Sequence, residues 1–380
     1  MSKNDNVVEL ASRNRGKTKP LVIGLFSLSG GVGKSILVKN MAALLAGPEE
    51  PFGFDVVVFD VNAGAGDQEI ISGQEPNSNK PAFSDKQFEA ISFEEYVTTQ
   101  QVLGARDGYP DITWELISGR IGNYEDVSNE IKTREHMAEV VRQYAQERNP
   151  DIVIVDGITG GSEHSLHFAQ YCDIVIIPMP PHVKNFVKET VLSKVLSIND
   201  PAQVKAIMPM AVDSDISVEF GEKQPEEVAQ IINEAEASSG RNNKVIALID
   251  TYLPHVPLAA DWSERGLLLT QDPETEEGLS FEELLAKTTD PSQPLDKEQR
   301  KLLAKKWRAR HKQIIWKHHL TRGVIRTVGF WKGFNWVLAN ISDDKQREDV
   351  RTMLENHPEE DGMIKLTRPF FQSSPTDRAG

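Results

Sequence analysis

The sequence predicts an α/β fold: a doubly wound, mainly parallel sheet with helices on both faces, followed by a basic α-helical C-terminal extension. Three observations predict it. The apolar run Leu21-Val22-Ile23-Gly24-Leu25-Phe26 leads into Ser29-Gly30-Gly31-Val32-Gly33-Lys34-Ser35, a glycine-rich loop placed between a strand and a helix. Asp55-Val56-Val57-Val58-Phe59-Asp60 and Asp151-Ile152-Val153-Ile154-Val155-Asp156 are two further apolar runs, each ending in a carboxylate. Parallel strands covered on both faces read as such unbroken runs, and their ligands sit beyond the strands' carboxyl ends.

Each element follows in order. The loop after the first run has the composition that binds phosphate. Its glycines let backbone N–H groups close on anionic oxygens, Lys34 adds a point charge, and the Ser35 hydroxyl can reach Mg²⁺. A helix opening at about Lys34 aims its positive dipole end at the same anion. The run Ile36 to Ala46 reads as that helix, amphipathic and closed by a C-cap at Gly47. Asp60 and Asp156, at two strand ends, are then placed beside the terminal phosphate and its metal. Residues 72–111 are polar and read as an insertion between strands. Ile112 to Ser118 reads as a further strand, and Glu130 to Glu147 as a helix. His255, His318 and His319 have no spacing that suggests zinc.

With those residues in place, the chain resembles the ParA/MinD group of P-loop ATPases, which position plasmids, chromosomes, division sites and other cargo. The resemblance covers roughly residues 20–270. Ser29 to Ser35 is similar to the group's deviant Walker A, Val56 to Asp67 to its second motif, and Ile152 to Asp156 to Walker B. Cys172-Asp173-Ile174-Val175-Ile176-Ile177-Pro178-Met179-Pro180-Pro181 resembles its next strand and proline turn. Lys244 to Gly266, centred on Tyr252-Leu253-Pro254-His255, resembles the stretch that closes over adenine.

The resemblance implies ATP and Mg²⁺ as cofactors. Ser29, Gly30, Gly31, Val32, Gly33, Lys34, Ser35, Ile36 and Pro254 would line the nucleotide. Ser35, Asp60 and Asp156 would serve the metal, with Asp60 and Lys34 as catalytic residues. Four departures qualify it. Ser29 stands where the group carries a signature lysine that reaches the partner's ATP across a dimer. The second motif, commonly D-x-D, reads Asp60-Val61-Asn62, and an Asn can orient water but takes no proton. The strand that often ends in an adenine-reading Asn reads Ala206-Ile207-Met208-Pro209-Met210. The chain also runs about a hundred residues past the group's usual end. Some carboxysome-positioning members similarly carry Ser at the signature position and use a later lysine. Here Lys184, in the segment after Pro181, is the first choice for that surrogate, and Lys188 the second.

Composition bounds the rest. With 380 residues, 39% hydrophobic and 26% charged, the chain has the makeup of a soluble globular protein with one large domain and an appendage. Its single cysteine, Cys172, forms no internal disulfide, which suits a reducing cytoplasm. No apolar stretch has the length to span a membrane. The net charge is −15, yet residues 297–332 carry twelve Lys/Arg against one acid, a local +11 that leaves −26 elsewhere. Trp307, Trp316, Trp331 and Trp336 lie in or beside that stretch.

The expected organisation is a flexible arm over 1–20, an ATPase domain over 21–288, a basic Trp-rich helical extension over 295–372, and a disordered tail over 373–380. The extension reads as two basic helices broken near Gly323 or Gly329. Its tryptophans either pack onto the ATPase domain or, interleaved with the basic residues, serve DNA phosphates, an anionic membrane or a protein partner.

The resemblance implies an ATP-dependent homodimer that positions or partitions cargo on a surface. Non-specific DNA stands ahead of membrane as that surface, and an adaptor protein stimulates release. Turnover is expected to be slow. The competing reading, favoured by Ser29 and Asn62, is a nucleotide-binding regulator or structural component with negligible hydrolysis.

Overall fold

The computed structural model describes residues 20–27, 31–47, 53–61, 97–102, 112–118, 138–139, 141–159, 168–179, 203–210, 225–240, 245–249, 253–256, 268–270, 286 and 295–332. Eight strands form one sheet: β1 (Leu21–Ser27), β2 (Val56–Asp60), β3 (Val97–Val102), β4 (Ile112–Ser118), β5 (Ile152–Thr159), β6 (Ile174–Met179), β7 (Val204–Pro209) and β8 (Val245–Ala247). Their spatial order is β3-β4-β2-β5-β1-β6-β7-β8. All neighbours are parallel except β3 and β4. The described helices are α1 (Lys34–Ala46), α2 (Pro225–Ser238) and α3 (Lys297–Lys332), and residues 141–148 are also helical. This is the expected doubly wound, mainly parallel α/β sheet, with β1 at its centre. The chain first builds the β2 side and then turns to the β6 side, so the order reverses at β1, where such sheets hold their ligands.

The apolar runs alternate faces although they look continuous in sequence. Leu21, Ile23, Leu25, Val56, Val58, Ile152 and Ile154 join one core, with α1 and part of α3. Val22, Phe26, Val57, Phe59, Val153 and Val155 join the other, with Val141, Tyr144, Ala229 and Ile232. Every residue of β1 and β2 is buried, which is why no polar alternation marks them. The leading aspartates fasten the strand starts. Asp151 accepts the Asp55 N–H at 2.8 Å, and Asp173 accepts the Val22 N–H at 2.9 Å. Phe26 lies across two glycines. A Cβ on Gly24 would sit 2.3 Å from its ring, and one on Gly157 would sit 2.4 Å from it. Those positions therefore admit no side chain without displacing the ring.

Three expectations change. Residues 72–111, read as an insertion, contain the antiparallel edge strand β3. Its Val97-Thr98-Thr99 start is β-branched, but its polar remainder hides it, as edge strands often do. The helix after the glycine loop is not amphipathic. Leu37 to Leu45 are all buried, Lys39 and Asn40 among them, because the sheet covers one side of α1 while α3 and residues 268–270 cover the other. The basic stretch is one helix, α3, of 36 residues, with no break at Gly323 or Gly329.

Gly323 is helical for a packing reason. A Cβ there would stand 3.1 Å from the Met208 Cε and 3.3 Å from the Ile249 Cγ2. A helical glycine costs about 1 kcal/mol against alanine, and close approach to β7 offsets it. Trp316, Leu320, Val324 and Ile325 enter the core that holds α1. The Arg326 guanidinium donates to the Ala247 and Leu248 carbonyls at 3.2 and 3.0 Å. The second half of α3 is thus part of the sheet's covering layer. The first half is different: Lys297, Arg300, Lys301, Leu302, Lys305, Lys306 and Arg308 are exposed. Among the described residues no helix is long and apolar enough to cross a membrane. The 1–20 arm apart from Pro20, the 333–372 part of the extension, the 373–380 tail, Trp331's side chain and Trp336 lie outside the described residues.

Candidate functional site

The loop after β1 turns as its glycines require. Gly31 has φ +77° and Gly33 φ +83°, the left-handed region that side chains other than glycine's rarely enter. Among the described residues, a Cβ on Gly31 would meet nothing within 4 Å. Gly33 is the N-cap of α1 and makes no side-chain cap, and the first turn carries no acid. The helix start therefore offers backbone N–H donors and a positive dipole end, with no acid of its own first turn to neutralise it. Val32 is buried, and Ser35 and Ile36 are half-buried on the first turn. Ser29 and Gly30 lie outside the described residues.

Three strands carry the rest of the site. β5 runs between β1 and β2, so Leu25, Asp156 and Asp60 lie side by side in register. Asp60 and Asp156 are both fully buried. The Val61 N–H donates to the Asp156 carbonyl at 3.2 Å, closing β2 and β5 at this end. Lys34, 4% exposed, reaches across from α1 and donates through Nζ to Asp156 Oδ1. Residues 122 positions apart in the chain thus form a buried ion pair at the loop's base. The motifs placed Lys34 and Asp156 near one phosphate. That they bind each other is visible only in three dimensions.

The other flank comes from β7 and the segment after β8. Met210 receives a parallel bridge from Leu253, whose N–H donates to the Pro209 carbonyl at 2.8 Å. This brings Pro254, buried, to the same sheet end as the loop. The Met210 Cε stands 3.5 Å from where a Cβ on Gly33 would be. Met210 ends the run that in the resembled group often ends in an adenine-reading Asn, and here it stands beside the loop as an apolar neighbour.

Behind the loop, Asn40 ties α1 to residues 268–270. It accepts the Thr270 N–H at 3.1 Å and donates to the Ile36 carbonyl at 2.8 Å. Lys39, 1% exposed, has its ammonium pushed down from 10.5 to about 8 by burial. Cys172 is buried and its thiol donates to the Phe168 carbonyl; burial pushes its pKa well up, so it is an inert core residue.

These residues suit a nucleotide with Mg²⁺. The cation takes oxygen ligands and commonly binds through one or two carboxylates plus substrate phosphates. Asp60, Asp156 and the Ser35 hydroxyl are such a donor set. Among the described residues no group of three His, Cys, Asp or Glu could hold a metal alone, so phosphate oxygens would have to complete the shell. Asn62, Asp67, Lys184 and Lys188 lie outside the described residues.

No protein-family model matches the sequence, and no curated protein matches it. Solved structures do match. The MinC:MinD cell division complex of Aquifex aeolicus aligns with 81% of this chain and 96% of its own, at 16% identity and TM-score 0.48. McdA of Cyanothece, in a complex with ATP, aligns with 67% of this chain and 90% of its own, at 15% identity and TM-score 0.44. A ParA family ATPase of Chlorobium tepidum aligns with 66% of this chain and 90% of its own, at 17% identity and TM-score 0.42. The matching structures include members of the group that the sequence resembles.

Proposed function

We propose that this chain is a ParA/MinD-type ATPase, cytoplasmic, acting as an ATP-dependent dimerisation switch that positions or partitions a cargo on a surface. One observation carries the reading: the uncapped glycine loop, Lys34, Asp60 and Asp156 converge at the carboxyl ends of the adjacent strands β1, β5 and β2.

In this reading the loop N–H groups and Lys34 hold the phosphates, Ser35 and Asp156 serve the metal, and Asp60 positions the attacking water or the magnesium shell. Bound Mg²⁺ would neutralise phosphate charge. Asn62 takes no proton, so turnover is slow. The walls of the base site are Pro254 and the β7 end. Two terminal phosphates facing each other across a dimer need a cation that Ser29 does not supply, because unpaired buried anions are costly. Lys184 is the proposed substitute and Lys188 the reserve.

The surface is DNA in preference to membrane. Lys297, Lys301, Lys305 and Arg308 are exposed at successive spacings of four, four and three, which puts them on one face of α3. They span about 17 Å at 1.5 Å per residue, a length suited to several phosphates. An adaptor protein triggers release.

Sedimentation with ADP and with a non-hydrolysable ATP analogue, each with and without DNA, tests the switch. Dimers that form only with the analogue, and bind DNA only then, support it. A protein that stays monomeric in every condition would refute it. Dimers that form with the analogue while ATP turnover is undetectable favour the regulator reading, which Ser29 and Asn62 suggest.

A further inference from the structure

The second half of α3 does more than cover the sheet. It grips the chain where β8 ends and the far flank of the loop begins. β8 is the last strand of the sheet, and the Arg326 guanidinium donates to the Ala247 and Leu248 carbonyls at this end, at 3.2 and 3.0 Å. Such bonds are charge-assisted and stronger than neutral ones. One turn earlier, Gly323 lets the helix come close: a Cβ there would stand 3.3 Å from the Ile249 Cγ2 and 3.8 Å from the Leu248 Cβ. Only three residues separate Ile249 from Leu253, which bridges to Met210 and donates to the Pro209 carbonyl at 2.8 Å. Met210 in turn reaches the start of α1 at Gly33. Leu248, Ile249, Leu253 and Val256 share one core cluster with Trp316, Leu320, Val324 and Ile325. An unbroken set of contacts thus runs from Arg326 to the buried Pro254 and on to the glycine loop, and a close-packed core transmits displacement along such a set.

We infer that Arg326 is a positioning residue for the base of a bound nucleotide. It touches no ligand. By pinning the end of β8 it fixes the wall formed by residues 253–256 beside Met210, and so sets how much the nucleoside adds to the affinity of the polyphosphate. The inference rests on the nucleotide reading above and extends it to α3, whose other half is the proposed DNA surface.

The test compares ATP with inorganic tripolyphosphate, which carries the phosphates and no nucleoside, by isothermal titration calorimetry of the full chain in excess Mg²⁺. The parent should bind ATP more tightly than tripolyphosphate. Arg326→Met keeps an unbranched stem and removes the donors. It should weaken ATP by about tenfold, the scale of one hydrogen bond to a charged group, and leave tripolyphosphate within about twofold of the parent. Loss of a positive charge, or a general loosening of the site, would weaken both polyanions alike. Equal losses for the two ligands therefore overturn the assignment, as does an undiminished affinity for ATP. A parent that binds tripolyphosphate as tightly as ATP overturns it too, since there is then no nucleoside contribution to set.

Hydrogen exchange of the parent needs no variant and covers the case in which Arg326→Met fails to fold. Mg–ATP should slow amide exchange over residues 247–256 and 320–327 more than Mg–tripolyphosphate does, because the nucleoside loads the wall and the wall is tied to α3. Equal protection by the two ligands overturns the assignment and leaves the phosphate site standing. A parent that binds neither ligand refutes the nucleotide reading itself, and the assignment falls with it.

Discussion

Trp316→Ala tests whether the basic helix is an attached module or part of the folded core. Trp316 is 2% exposed and packs in the cluster that contains α1 and the β1, β2 and β5 strands. A buried tryptophan removes about 150–250 Å² from water, and at about 25 cal/mol per Å² its loss costs near 4 kcal/mol once the remaining methyl is allowed for. Large-to-small core substitutions of Trp span about 3–5 kcal/mol, the same range. Domains have only about 5–15 kcal/mol in total, so the variant should show a large fall in the urea midpoint. Leu302, 56% exposed on the first half of the same helix, is the control; Leu302→Ala should stay within about 0.5 kcal/mol of the parent. Equilibrium urea unfolding followed by far-UV circular dichroism reads both. If Trp316→Ala costs under about 1 kcal/mol, or no more than Leu302→Ala, α3 is not part of the core and the packing argument fails. The result also decides how surface binding is tested. Deleting residues 297–332 would uncover Met208, Leu248 and Ile249 at Gly323, so it would not remove a binding surface cleanly.

Four further outcomes are expected. Lys34→Ala should weaken Mg–ATP binding by about 10- to 150-fold, the loss of a charge-assisted bond worth about 1.5–3 kcal/mol; titration with a fluorescent ATP analogue reads it, and unchanged affinity sinks the phosphate assignment. Asp60→Ala should abolish ATP turnover while binding persists, and parent-like phosphate release would move the role to another group. Replacing Lys297, Lys301, Lys305 and Arg308 by Gln should reduce the slope of log affinity for non-specific DNA against log salt by up to about 3.6, with the fold intact; an unaltered slope places the DNA contact elsewhere. The last outcome follows from burial of Lys39, which lowers its pKa from 10.5 to about 8. Between those pH values the unfolded chain holds the proton that the folded one has lost, so stability rises with pH there, and the burial penalty is full below about 8. Tyr144 and Cys172 have raised values and act oppositely at high pH, so the parent is compared with Lys39→Met rather than read alone. The parent should gain up to about 3 kcal/mol on the variant from pH 7 to 10.5, and a constant difference in urea midpoint refutes the penalty.

β1, β2, β5 and β6 were legible because each is a buried apolar run with a punctuating residue. Ile112 to Ser118 became β4 with those bounds, and the runs ending at Asp60 and Asp156 became adjacent strands. β3 was not legible, since an edge strand needs no apolar face and Gln100-Gln101 look like loop. The break expected at Gly323 followed local propensity, which tertiary packing overrode. The same packing removed the apparent amphipathicity of α1, because a helix covered on both sides shows no polar face.

By itself the sequence determined the local grammar: a glycine loop whose positive φ values only glycine accepts readily, a lysine at the first helical position after it, and carboxylates at two strand ends. Those features depend on neighbours in the chain, so the chain displays them. Tertiary structure alone decided which of them touch. Lys34 meets Asp156 because β5 is inserted between β1 and β2, an order that no local pattern encodes. The second half of α3 became core because Trp316, Leu320, Val324 and Ile325 pack in the cluster with α1, while the first half keeps exposed charges, and a basic helix carries no mark in its sequence of where that packing begins.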